Sequence, residues 1–97
     1  MTTVHIEHAI TDLATWREGF ARAAGLREQH GARSYEVRQP VDDAAFVVID
    51  LTFDDVAAAQ GFLADLHKIW QTAPALVGPP RARILETIGA DRLDRPA

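Results

Sequence analysis

The sequence has no cysteine and no asparagine, a single serine at position 34, and no long apolar run. Without cysteine the chain can form no disulfide, offer no thiolate nucleophile and bind no zinc through sulfur, which fits a reducing cytoplasm. Ser34 has no histidine and acid at a spacing that would activate it, so nucleophilic catalysis has almost no raw material. No window approaches the roughly 18 apolar residues of a membrane-spanning helix. The first residues enter a strand pattern without a basic segment followed by an apolar one, so a cytoplasmic location is expected. Basic charge is equally sparse. The net charge is −4 and the pI near 5.4, and Arg81 with Arg83 is the nearest approach to a basic patch. Two charges make no footprint for a nucleic-acid backbone. The glycines of "REGF" and "VGPPR" lack the spacing of a phosphate loop.

What is present is the composition of one soluble domain: 97 residues, 47% hydrophobic and 25% charged. A chain this short buries only about 60 to 65% of its unfolded surface, so a partner that covers more would stabilise it. There is no repeat, low-complexity tract or internal linker. A single domain is expected over residues 1–89, followed by a polar tail at 90–97.

Periodicity orders the elements. "VHIEHAI" alternates as a strand over about 3–9, with Val4, Ile6 and His8 on one face and His5, Glu7 and Ala9 on the other. Asp12 offers an N-cap, and Leu13, Trp16, Phe20, Ala23 and Ala24 recur at helical spacing, with Gly31 as a stop. "ARSYEVRQ" and "AFVVIDLTF" are strands joined by the turn-forming "PVDDA". "DDVAAAQGFLADLHKIW" is a second helix capped by Asp54 or Asp55, stopped before Pro74. "TAPALVGPP" reads as a loop, and "RARILETI" as the last strand.

The order β-α-β-β-α-β predicts an α+β, ferredoxin-like domain: two helices on one face of a four-stranded antiparallel sheet in the order 4-1-3-2. "AFVVIDLTF" then poses a difficulty, because Phe46 and Val48 are apolar on the face that the helices do not cover. Strands apolar on both sides expect burial on both sides. The economical solution is a homodimer, sheet against sheet about a two-fold axis.

The element order, with "VHIEHAI" at the start and "AFVVIDLTF" in the third strand, resembles the dimeric α/β-barrel proteins over residues 3–88. That resemblance implies two ferredoxin-like subunits around a central space. It implies a wide set of activities: cofactor-free monooxygenases of antibiotic biosynthesis, haem-degrading enzymes, polyketide cyclases and small isomerases. A pocket is implied between each sheet and its helices or inside the barrel. Cyclase-type members carry a catalytic histidine in the first strand, the place that His5 occupies here. Members that activate oxygen or degrade haem rely on an asparagine, and this sequence has none. The expected function is a small-molecule-binding homodimer, with cofactor-free acid/base chemistry on an aromatic or polyketide-like substrate. A non-catalytic binding protein and a monooxygenase or haem handler are the alternatives.

Parity collects the candidate residues. His5, Glu7 and Asp50 should share the uncovered face with Arg83, with Glu7 and Asp50 at similar depth. Two readings of this cluster stay open. In one, Arg83 pairs with the carboxylates and fixes the dimer. In the other, the carboxylates and imidazole shift one another's pKa values and make His5, Glu7 or Asp50 a catalytic acid or base. Tyr35, Arg83, His67 and Trp70 are the candidate substrate-binding residues, Tyr35 and Trp70 as walls. Tyr35 and Trp70 also suit the core, and His67 suits a helix C-terminus. His5 and His8 point to opposite faces of a strand and cannot chelate one ion, and Arg83 would repel a cation from His5, Glu7 and Asp50. No metal or cofactor is expected.

Overall fold

The computed structural model describes residues 1–93, and 94–97 of the expected tail lie outside the described residues. The elements are β1 (Thr2–Ile10), α1 (Leu13–Arg22), α2 (Ala24–Gln29), β2 (Ser34–Arg38), β3 (Phe46–Phe53), α3 (Val56–Trp70) and β4 (Leu76–Glu86). The strands form one antiparallel sheet in the order β2-β3-β1-β4, the expected ferredoxin-like topology.

Capping chemistry sets both long helices. Asp12 accepts from the Thr15 N–H at 2.7 Å at the start of α1, and Asp55 accepts from the Ala58 N–H at 2.8 Å at the start of α3. Asp54, the other capping candidate, instead holds Arg33 in a two-point ion pair. Alternation in β1 and β3 is complete: Val4, Ile6, Val47, Ile49, Leu51 and Phe53 are buried under the helices. Trp16 of α1 and Ala59, Phe62 and Leu66 of α3 complete that core.

Two elements differ from expectation. The single helix predicted over 12–31 breaks at Ala23, whose N–H bonds to the carbonyls of Gly19 and Phe20. An unbroken helix would carry Arg27 and Glu28 around to the sheet. The break instead turns Leu26 to the core, while Arg27 donates to the Phe20 carbonyl at 2.7 Å. Gly31 ends α2 with φ 75, a conformation glycine adopts without strain.

The last strand begins at Leu76, inside the segment predicted as a loop, and ends at Glu86. Ala9 pairs with Val77 and Glu7 with Arg81, so Gly78, Pro79 and Pro80 bulge out between them. β4 is an edge strand, where the missing N–H of proline costs no ladder bond.

Candidate functional site

The sheet separates two places where chemistry could occur. On the face away from the helices, direct neighbours across the strands form a charged row: Glu36 of β2, Asp50 of β3, His5 of β1 and Arg83 of β4. The adjacent row is Arg38, Val48, Glu7 and Arg81. Asp50 therefore lies opposite His5, one pair away from Glu7, which corrects the depth expected from parity. His5 places Nδ1 2.6 Å from Asp50 Oδ1 and Nε2 3.0 Å from Glu7 Oε2. A carboxylate oxygen at each ring nitrogen favours the protonated ring, in which both nitrogens donate. Its pKa is raised, chiefly by the Asp50 hydrogen bond and then by Glu7.

Arg83 does not join this network. Arg38 does: it donates to Asp50 Oδ2 at 3.1 Å and also pairs with Glu36. Arg81 and Arg83 form no ion pair among the described residues, and with His5, Glu7 and Leu85 they line a shallow concavity of about 420 Å³. Among the described residues no group of three His, Asp or Glu side chains is arranged to hold a metal ion.

The second place lies between the helices and the sheet. A cavity of about 100 Å³ is lined by Trp16 and Phe20 of α1, Leu66 and Trp70 of α3, and His8 and Ile49 beneath them. Trp16 and Phe20 stack with ring centroids 4.9 Å apart. His8 is only 4% exposed, and Nε2 accepts the indole N–H of Trp16 at 3.2 Å. Its Nδ1 lies 3.3 Å from the Ala9 carbonyl, so one neutral tautomer satisfies both contacts. Burial lowers the His8 pKa, against a smaller opposing effect of the carbonyl.

The candidate residues thus divide. His5, Glu7, Asp50 and Arg83 share the outer face, while Trp70 lines the inner cavity. His67 is exposed on α3 with its ring 5.2 Å from Trp70, and does not line the cavity. Tyr35 faces the helix side at 52% exposure, edge-on to Phe20 at 4.9 Å with the Arg27 guanidinium 5.2 Å from its ring. Sequence periodicity put Trp16 and Phe20 on one helix stripe and His8 on the Val4 and Ile6 face of the first strand. It could mark the face these residues occupy, but not that the space between them is left open.

No protein-family model matches the sequence, and no characterised protein matches it at the sequence level. Solved structures do match. A cofactor-independent oxygenase from Streptomyces nogalater, SnoaB, superposes with a TM-score of 0.72 at 16% identity, covering 92% of this chain and 94% of its own. The shared fold is ferredoxin-like. The monooxygenase of ActVA-Orf6 from Streptomyces coelicolor, solved with nanaomycin D, gives 0.69 at 20% identity, covering 96% and 92%. A protein of unknown function from Nitrosomonas europaea, NE2512, gives 0.67 at 17%, covering 96% and 94%. At these identities the likeness establishes architecture, not chemistry.

Proposed function

We propose that this protein is a homodimer that binds a planar, largely apolar small molecule, in the class of aromatic or polyketide-like compounds, in the cavity between α1, α3 and the sheet. The single observation that carries the reading is the cavity's lining: two indoles and two phenyl rings around an apolar space, with one buried imidazole at its floor. A mostly apolar pocket with few convergent polar groups is the usual form of a small-molecule site. The occurrence of an oxygenase and a nanaomycin-bound monooxygenase among the structures that share this fold supports the ligand class.

The geometry favours binding over acid–base catalysis on the outer face. A general base needs a free lone pair, and both nitrogens of His5 are engaged by carboxylates. His8 has the opposite character, since it is neutral and its one acceptor nitrogen is held by an indole that a ligand hydroxyl could replace. A cofactor-free cyclase or oxygenase reading would therefore place proton transfer at His8 rather than at His5, Glu7 or Asp50. The homodimer is supported by the outer face itself, where Leu85 and Val77 of β4 remain 42% and 53% exposed and Phe46 and Val48 of β3 are only half-buried.

Isothermal titration of the purified protein with 2-methyl-1,4-naphthoquinone tests the reading. Saturable binding at one site per chain, with a change in tryptophan emission, is the expected result. No heat and no change in emission at millimolar ligand would overturn it.

A further inference from the structure

We infer that the charge pattern of the outer sheet face is a self-recognition code: it selects a second copy turned about an axis parallel to the strands, so that Glu36 and Asp50 lie over the basic β4 side of the partner. The inference rests on the homodimer proposed above and specifies how that homodimer is assembled.

The argument starts from the register. Reading across the sheet from β2 to β4, the central row runs acid, acid, histidine, arginine: Glu36, Asp50, His5 and Arg83. The β2–β3 half of this face holds two acids against one base, Arg38. The β1–β4 half holds His5, Arg81 and Arg83 against one acid, Glu7. The face is thus electrically polar along the direction perpendicular to its strands.

Two sheets facing each other with aligned strands have two choices of two-fold axis in the plane between them. An axis perpendicular to the strands lays β4 over β4, bringing Arg81 and Arg83 onto the same arginines of the partner. An axis parallel to the strands lays β2 over β4, and acid meets base at both ends of the interface. Packed sheets stand about 10 Å apart, a distance that an arginine and a glutamate reaching from opposite sides can close.

The unpaired state of Arg81 and Arg83 fits this assignment. Arg38 is already engaged by Glu36 and Asp50, and Arg33 by Asp54, whereas the β4 arginines form no ion pair among the described residues. Carboxylates keep further acceptor positions when one arginine is bound, so Glu36 can be shared between Arg38 and the partner's Arg83. The charges settle orientation and the apolar residues around them supply contact area.

Charge exchange tests the assignment. In a Glu36→Arg homodimer, arginine faces the partner's Arg83 at both ends. In an Arg83→Glu homodimer, acid faces the partner's Glu36. Mixed together, the two variants can form a heterodimer in which both ends pair an acid with a base. Sedimentation velocity should give a dimer for the unchanged protein, dimer Kd values at least about tenfold weaker for each variant alone, and recovery on equimolar mixing. Circular dichroism should show both variants folded, since both positions are exposed. A dimer whose affinity ignores these substitutions, or variants that weaken but do not rescue each other, would overturn the charge code while leaving the dimer intact. An unchanged protein that sediments as a monomer at tens of micromolar would overturn both.

Discussion

The indole of Trp16 donates to Nε2 of His8 across 3.2 Å in the interior, joining the first helix to the first strand. That bond exists only while His8 is neutral. Burial lowers the folded-state pKa below the ordinary value of 6.5, so the stability contributed by neutral His8 is fully present above about pH 6.5. It is lost as the pH falls from there through the lower, folded-state value. Thermal unfolding between pH 7.5 and 5 should show this acid-side loss, and His8→Phe should flatten it. The same variant should be less stable at pH 7.5 by about 1–3 kcal/mol, because the Trp16 N–H is left unpaired.

His5 should behave with the opposite sign. Its folded-state pKa is raised by Asp50 and then Glu7, so its contribution is fully present below about pH 6.5 and disappears as the pH rises through the folded-state value. NMR titration of the histidine ring protons should place the His5 midpoint above 6.5 and the His8 midpoint below it. Asp50→Asn should lower the His5 midpoint more than Glu7→Gln, since the Asp50 hydrogen bond is the larger influence. Equal midpoints for His5 and His8 would contradict the two environments.

Gly19 separates cavity function from fold stability. It lines the cavity, and a side chain built there meets nothing within 4 Å of its Cβ. Gly19→Leu should place an isobutyl group at the cavity wall while improving a helical position by about 0.5–1 kcal/mol. The expected outcome is a higher Tm together with at least about tenfold weaker naphthoquinone binding, read by calorimetry. Weaker binding without loss of stability would exclude unfolding as its cause.

Phe53 tests the core that supports both sites. It is fully buried, with its ring 5.2 Å from that of Phe62 at the junction of β3 and α3. Phe53→Ala should cost about 3–5 kcal/mol in urea unfolding, a large part of the stability of a small domain. Leu93→Ala, at an almost wholly exposed position, should change it by less than about 0.5 kcal/mol.

Much of the architecture was legible because strand alternation is a strictly local property. Val4, Ile6 and His8 had to share one side and His5 and Glu7 the other once residues 3–9 formed a strand, and a two-residue period permits no other division. The β4 segment was less legible. "GPP" carries strong turn signals, and only pairing of Leu76 and Val77 with the end of β1 shows that the strand runs on through a bulge. The break at Ala23 was similarly hidden, since alanine is a good helix former and the departure serves the burial of Leu26, a tertiary demand.

The sequence by itself determined the element order, the sheet topology and the side of the sheet to which His5, Glu7, Asp50 and Arg83 belong, because these follow from periodicity, caps and short connections. Tertiary structure alone decided that Arg38 rather than Arg83 holds Asp50, that His5 is clamped by two acids, and that His8, Trp16, Phe20 and Trp70 surround an open space. The physical reason is the range of the interactions. Patterning acts within a few residues, whereas ion-pair choice and unfilled volume depend on ångström-scale distances between side chains brought together from separate strands and helices.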